Sequence, residues 1–341
     1  MTIKTVASLA EIRAVMAELP GPVAAAGEKA AAREGTLTKP PGALGRLEEL
    51  TQWLCLWQGR HPARIDRPRV AVFAGNHGVA ARGVSAYPAE VTKQMVLNFT
   101  TGGAAVNQLS AAADAELRVY EMELDNPTAD FSRGAALSEE DCAKAFAYGM
   151  MAVEPGLDLL CLGEMGIANT TSAAALCCAL FGGCAREWVG PGTGVVGEAL
   201  ARKIAVVDEA MKLHRPQFID SFDIMRRVGG RELAAIAGSV MAARMARIPV
   251  LLDGFACTAA AATLIAADAH ALDHCVVAHC SAEPGHRKLL ERIGKKPLLD
   301  LGMRLGEASG AALAINILRS ALACHNGMAS FAEAGVSGKT E

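Results

Sequence analysis

The hydrophobic pattern along the chain predicts short buried strands that alternate with helices. Six short apolar runs stand out, and most of them lack the polar alternation of a half-exposed strand, which is typical of strands buried on both faces. They lie at 69–75, 117–122, 157–163, 249–254, 275–281 and 297–302. The alanine-rich segments between them are long enough for crossover helices. The pattern therefore predicts an α/β fold, with a doubly wound, mainly parallel six-stranded sheet flanked by helices.

Helical periodicity marks both ends of the chain. Ser8 and Glu11 have the spacing of a capping box just before the periodic segment 12–19, which predicts a helix there. Periodicity resumes after the break at Pro40 and Pro41, and the segment after Gly310 has the pattern of one long helix.

Composition narrows the classes of function. Of the 341 residues, 52% are hydrophobic and 4% aromatic, so the core must rest on Ala, Leu, Val and Met. The net charge is −3 and no basic stripe stands out, which argues against nucleic acid or an anionic membrane as partner. Ten cysteines lie in apolar surroundings without a CxxC pair, and residues 1–22 do not have the pattern of a secretory signal. We therefore expect reduced cysteines, no metal site and a cytoplasmic location.

One uncharged segment, 165–185, is long enough to raise the question of a membrane span. It contains Asn169, Thr170 and Thr171 and follows Glu164 directly. A buried helix is the better interpretation, so no membrane partner is expected.

Polar residues follow the predicted strands at the edge where open parallel sheets bind ligands. These residues are Asn76, His77 and Gly78; Glu164, Gly166, Asn169, Thr170 and Thr171; Asp253 and Gly254; Ser281, Glu283, Gly285 and His286; and Arg304, Gly306 and Glu307. Each is a weak signal alone, but their convergence on one edge predicts a ligand site.

The segment 163–175, "GEMGIANTTSAAA", has the features of a phosphate-binding turn. Its glycines let the backbone approach a ligand, and the helix after it offers N–H groups at its positive end. An ordinary helix cap by Asn or Thr is an equally weighted alternative. Glu164 is unexpected here, because its carboxylate would repel a phosphate unless it faces a sugar hydroxyl or a cationic ring.

Three further residues have two interpretations each. Glu307 precedes the C-terminal helix, where it either caps the helix or acts as a general base with a raised pKa, and the sequence slightly favours capping. Lys203 is either a cation near the ligand or a solvated helix lysine. His77 is interpreted as a histidine bonded within the core rather than a metal ligand.

Two loops complete the set of candidates. Tyr87 and Gln94 flank a turn near the first strand and could line a pocket for an aromatic ligand. Residues 192–197 match G-x-G-x-x-G, but Pro191 lies in the loop and the segment before it is a poor strand. A dinucleotide-binding turn is therefore disfavoured.

Taken together, these segments resemble the nicotinate-nucleotide:dimethylbenzimidazole phosphoribosyltransferase family of cobalamin nucleotide-loop assembly. The resemblance runs in order over residues 37 to about 315. Its pieces are "LTKPPGALGRLEEL", "NHGV…GVSAYP…VT", "NFTTGGAAVNQL", "LGEMGIANTTSAAAL", "VGPGTG", "LLDGF", "SAEPGH" and "LGMRLGEASGAALA". The sequence departs from the family pattern at Asn76 and Ala168, where the family has Asp and Gly.

The resemblance implies a domain organisation and a reaction. Residues 61–310 would form a Rossmann-like α/β catalytic domain, 1–60 with 311–341 a small helical domain, and the enzyme a homodimer. Without cofactor or metal, nicotinate would leave nicotinate mononucleotide and 5,6-dimethylbenzimidazole, or a related base, would replace it on C1′. The product would be α-ribazole 5′-phosphate, formed with inversion.

The resemblance also implies roles for residues. Glu307 would be the catalytic base, and Glu164 would lie near the ribose, where it stabilises positive charge. The residues implied to bind substrate are Ser85, Tyr87, Gln94 and Leu305 for the base, and Gly166, Thr170, Thr171, Lys203, Asp253, Ser281 and Gly285 for the ribose phosphate. Two alternatives remain open: a non-catalytic nucleotide- or base-binding protein of the same fold, and an NAD-dependent oxidoreductase that uses the G-x-G-x-x-G segment.

Overall fold

The computed structural model of the protein describes residues 8–337 and contains one parallel sheet. Its strands are β1 Pro68–Ala74, β2 Glu116–Glu121, β3 Leu159–Met165, β4 Val250–Leu252 and β5 Cys275–Val277. Their order in the sheet is β2-β1-β3-β4-β5, and every neighbouring pair is parallel. The predicted α/β class and parallel sheet are confirmed.

Helices connect the strands and extend beyond them at both ends of the chain. They are α1 Leu9–Ala17, α2 Ala24–Glu34, α3 Arg46–Gln58, α4 Glu90–Thr100, α5 Ala105–Ala112, α6 Glu139–Met150, α7 Asn169–Phe181, α8 Gly197–His214, α9 Ser221–Val228, α10 Arg231–Met245, α11 Phe255–Ala262, α12 Pro284–Arg292, α13 Ser309–Gly327 and α14 Phe331–Ala334. The capping box predicted at Ser8 and Glu11 begins α1.

The prediction of a sixth strand at 297–302 is wrong. This segment runs beside the end of β5, but only one bridge forms, between Leu299 and His279. Pro297 has no N–H to donate to a ladder, and Gly302, at φ +68°, turns the chain away after a few residues. The apolar pattern correctly places the segment beside the sheet, but the segment does not form a regular strand.

Helices cover both faces of the sheet because successive strand residues point to opposite sides. In β1, Ala71 and Phe73 belong to a core shared with α6, α7, α10 and α11. Val70 and Val72 belong to a second core shared with α3, α5 and α13. This two-sided burial explains why the strand sequences are apolar throughout, and it confirms the doubly wound arrangement.

The uncharged segment 165–185 forms α7, whose residues 171–178 are buried. Within residues 8–337, each helix is too short or too polar to cross a membrane. All ten cysteines are free thiols. The division into a helical and an α/β domain stays a prediction; α2, α3 and α13 share the second core with the sheet.

Candidate active site

A cavity of about 520 Å³ lies beyond the carboxyl ends of the strands. The segments that follow β1, β3, β4 and β5 all contribute to its wall, as does the loop before α13. Seven of the residues to which the resemblance assigns a role line it: Tyr87, Glu164, Gly166, Thr170, Ser281, Leu305 and Glu307. The loop that carries Glu307 and the turn after β3 therefore meet at one cavity.

The other predicted residues lie behind the cavity wall or outside it. Ser85 reaches the wall indirectly, through a 2.9 Å hydrogen bond between its hydroxyl and that of Thr193. Gln94 is exposed on α4, and Thr171 is buried within α7. Gly285 packs closely against the carbonyl of Trp188, where a side chain would not fit.

Asp253 and Lys203 are the two charged residues among those behind the wall. The Asp253 carboxylate is buried and accepts hydrogen bonds from the backbone of α13. Lys203 lies behind Thr170, to whose hydroxyl it donates at 2.8 Å, and also donates to the Gly190 carbonyl at 3.0 Å. It is 1% exposed, so the interpretation as a solvated lysine is wrong.

Five further cavity residues were among the positions that follow the predicted strands: Asn169, Gly254, Glu283, Arg304 and Gly306. The cavity residues that were not predicted are Val91, Met95, Met165, Ile167, Gly192, Thr193, Phe255, Ala256 and His279. One signal could have found part of this set. Val91 and Met95 lie four residues apart in α4, which places them on one face of that helix, and Tyr87 lies in the turn before it.

Glu307 presents a buried, unpartnered carboxylate to the cavity. Its side chain is 4% exposed, and its Oε2 atom has no hydrogen-bond partner among the described residues. Burial, and then the charge of Asp253, raises the pKa of Glu307 to about 7. The sequence slightly favoured a capping role, but α13 has no side-chain cap from its own N-terminal residues.

Glu164 lies at the end of β3, next to the Glu307 turn. Its carboxylate accepts a hydrogen bond from the Asn169 side chain. Burial raises its pKa well above the ordinary value despite this bond, and repulsion from Asp253, Glu232 and Glu307 adds to the shift. A site with several crowded, desolvated carboxylates favours a ligand that brings or develops positive charge.

The two basic groups near the cavity, Lys203 and Arg304, both donate to the glycine-rich loop. Burial lowers the pKa of Lys203 to about 8, although the Glu283 carboxylate opposes this. Glu283 also accepts a 2.9 Å hydrogen bond from the Gly192 N–H, which ties the glycine-rich loop to the segment after β5. Arg304 donates to the Gly192 carbonyl at 3.1 Å.

The structure bears on two interpretations that the sequence disfavoured, His77 as a metal ligand and residues 192–197 as a dinucleotide-binding turn. His77 is 2% exposed and bonds within the core, to the Glu232 carboxylate at 2.7 Å and the Ser172 hydroxyl at 3.1 Å. The segment before 192–197 is a 3₁₀ turn, Ala185–Glu187, rather than the strand that a dinucleotide-binding turn requires. Within residues 8–337, no cluster of three or more His, Cys, Asp or Glu side chains is arranged to hold a metal ion.

The chain is similar to known proteins over nearly its whole length. The family model described as phosphoribosyltransferase matches residues 19–336. Nicotinate-nucleotide–dimethylbenzimidazole phosphoribosyltransferases from Sinorhizobium medicae (strain WSM419) and Rhizobium etli are 58% and 59% identical over 329 residues, which cover 96% of this chain and 97% of each relative. A crystal structure of the enzyme of that name from Thermus thermophilus superposes with a TM-score of 0.86 at 41% identity, over 92% of this chain and 99% of the other.

Proposed function

The chain belongs to the nicotinate-nucleotide–dimethylbenzimidazole phosphoribosyltransferase family, and from this premise we propose that it exchanges the nicotinate of nicotinate mononucleotide for 5,6-dimethylbenzimidazole. The products are nicotinate and α-ribazole 5′-phosphate. One observation carries the proposal: the unpartnered carboxylate of Glu307 and the turn from Glu164 to Thr170 line the same cavity.

The proposed reaction needs no general acid at the leaving group. The ring nitrogen of nicotinate mononucleotide is quaternary and already cationic, so it leaves as neutral pyridine nitrogen. Cleavage leaves positive charge on the ribose, as in glycoside chemistry. Glu164 next to the ribose stabilises that charge. Burial, and then repulsion from neighbouring carboxylates, raises the pKa of Glu164, and this supports the role because a nearby cation offsets both.

Glu307 takes the N–H proton of the incoming benzimidazole. A pKa of about 7 suits a general base at neutral pH, since the group is then partly deprotonated and still basic enough to accept a proton. Attack by the base nitrogen on the face opposite the leaving ring inverts C1′ and gives the α-riboside.

The rest of the cavity wall suits the incoming aromatic base and the ribose phosphate. Tyr87, Val91, Met95 and Leu305 offer apolar surface for the incoming aromatic ring. The ribose phosphate binds near Gly166, Thr170 and Ser281, with Lys203 supplying positive charge through Thr170. The acceptor range rests on few contacts, and apolar pockets discriminate weakly between related rings.

The test is a mass-spectrometric product assay with nicotinate mononucleotide and a panel of dimethylbenzimidazole, purine and phenolic bases. We expect nicotinate release that depends on the base and an α-linked product with dimethylbenzimidazole. Binding of nicotinate mononucleotide without nicotinate release, whichever base is added, would favour the non-catalytic alternative.

Glu164→Gln should slow the chemical step more than it weakens nucleotide binding; a pure binding defect would assign Glu164 to positioning the substrate.

A further inference from the structure

The turn that carries Glu307 has an unfavourable backbone. Gly306, Glu307 and Ala308 have φ values of +86°, +63° and +65° in succession. For a residue other than glycine, this left-handed conformation is unfavourable, because it brings Cβ too close to the following carbonyl oxygen. Two such residues in a row persist only where the surroundings hold them in place.

The helix that follows this turn lacks a cap of its own. Its N-cap residue is Ala308, which has no side-chain oxygen to accept the free N–H groups of the first turn. Asp253 supplies the missing acceptor from another part of the chain. Its Oδ1 atom accepts hydrogen bonds from the N–H groups of Gly310 at 2.8 Å and Ala311 at 3.0 Å.

Asp253 is itself fixed to the sheet. It directly follows β4, and its N–H donates to the Leu162 carbonyl of β3 at 3.1 Å. The Glu307 N–H donates to the Glu164 carbonyl on the same strand, also at 3.1 Å. The turn is therefore attached to the sheet on both sides of Glu307, once through β3 and once through Asp253.

The packing leaves little room for the turn to move. A Cβ atom at Gly163 would lie 2.1 Å from the Ala308 nitrogen, and one at Gly310 would lie 2.0 Å from Cδ2 of His279. His279 follows β5, and its Nε2 atom is 3.4 Å from Asp253 Oδ1. Only glycine permits these two close approaches.

We propose that Asp253 is a positioning residue, which holds the Glu307 carboxylate at the cavity by capping α13. This role differs from the ribose contact that the family resemblance implies for Asp253. It rests on the proposed function, because Glu307 must be the base for its position to affect the rate. The charged and titratable groups that share the cavity with Glu307 are Tyr87, Glu164, His279, Glu283 and Arg304, and Asp253 acts on it from behind the wall.

Asp253 also affects Glu307 through its charge. Burial is the main cause of the raised pKa of Glu307, and the negative charge of Asp253 adds to it. Burial opposes protonation of His279, but the same carboxylate raises the pKa of that ring. The two contributions of Asp253, capping and charge, can be separated, because an Asn side chain keeps the accepting oxygen and removes the charge.

The experiment compares Asp253→Asn and Asp253→Ala in steady-state kinetics across pH. Asp253→Ala removes the cap, and a misplaced base should lower kcat on the order of 10²-fold while the KM for nicotinate mononucleotide stays the same. Asp253→Asn should keep most of the kcat plateau, and the acid limb of its pH profile should move to lower pH. Asp220→Ala is the matched control, since Asp220 caps α9 through the Asp223 N–H at 2.8 Å, away from the cavity. It should lower the melting temperature without changing kcat.

A rise in KM for nicotinate mononucleotide in both Asp253 variants, with kcat unchanged, would show a substrate contact and overturn the proposal. Wild-type kcat in folded Asp253→Ala would also overturn it. Where Asp253→Ala does not fold, Asp253→Asn decides: an unchanged KM for nicotinate mononucleotide with most of the kcat plateau supports the capping role, and a raised KM overturns it. Where the wild type shows no transferase activity, the proposed function fails, and a crystal structure of Asp253→Ala still tests the positioning by whether residues 306–308 have moved.

Discussion

At the amino ends of the strands, Arg69 lies buried between Glu116 and Glu154, with nitrogen-to-oxygen distances of 2.8 Å to each carboxylate. Burial raises the pKa of Glu116, but hydrogen bonds from Arg118 and Arg69 outweigh it and lower the pKa overall. At the carboxyl ends, Glu164 and Glu307 have no basic partner among residues 8–337, and both pKa values are raised.

The difference separates structural from functional charge. A buried guanidinium whose three nitrogens all donate hydrogen bonds, as those of Arg69 do, has little capacity left for a ligand. A desolvated carboxylate without a partner is costly to the fold and is expected where a ligand supplies the missing charge or proton. The two ends of the same sheet should therefore respond to mutation in opposite ways, one in stability and the other in rate.

The largest expected effect is that of Glu307→Gln on turnover. Loss of the general base should lower kcat about 10²- to 10⁴-fold. Nicotinate mononucleotide should still bind, since the amide preserves the shape of the side chain. The melting temperature should not fall, because Gln removes a carboxylate that is costly to bury. Calorimetric binding, kinetics and thermal melting would check these three parts, and unchanged turnover would remove Glu307 from its proposed role.

Arg69→Met should have the opposite effect. The guanidinium also donates to the Ala152 carbonyl at 2.9 Å, and Met replaces its length without its charge. The loss should be smaller than the roughly 3 kcal/mol of breaking a fully buried ion pair, because both carboxylates, 43% and 40% exposed, can be hydrated. Urea unfolding would measure the loss. The kcat/KM of the folded fraction should match the wild type, and a slower enzyme would mean that the two ends of the sheet are coupled.

The pH profile gives the next effect in size. A general base acts in its deprotonated form, so kcat/KM should fall about tenfold for each pH unit below the pKa of Glu307. That pKa is about 7, well above an ordinary carboxyl. Arg69→Met should keep the same limb, since its site lies at the other end of the sheet. A limb near pH 4.5 in the wild type would mean that the carboxylate is hydrated rather than desolvated.

The sequence predicted the part of this contrast that depends on local pattern. Apolar runs without polar alternation located β1, β3, β4 and β5 as strands covered on both faces of the sheet. The ends of these runs located the cavity, since ligand sites of parallel sheets lie there. Glu116–Glu121, at the sheet edge, is only partly buried, yet its apolar residues were sufficient to identify it as well. The pattern could not show that Lys203 is buried or that Asp253 caps a helix 57 residues away in sequence, because such contacts depend on the packing of distant segments.

The smallest expected effect concerns the backbone of the turn after β3. Ala168 has φ +76°, a conformation that favours glycine. Ala168→Gly should relieve about 1–2 kcal/mol of strain. It loses the packing of a buried methyl group, about 0.8 kcal/mol, and gives the unfolded chain more freedom. The net change in unfolding free energy should therefore be small, and kcat/KM should be unchanged.

Asp114→Gly is the matched control at the other end of the sheet, where φ is +42° in an exposed loop before β2. Aspartate tolerates this conformation better than alanine does, so relief of strain should be smaller there. Both variants should leave the rate alone, because neither changes a charge or a hydrogen-bonding side chain at the cavity. If Ala168→Gly alone lowers kcat/KM, the alanine methyl group shapes the turn that carries Glu164 and Thr170. The rate then depends on the rigidity of the backbone at the carboxyl ends of the strands as well as on the carboxylates that lie there.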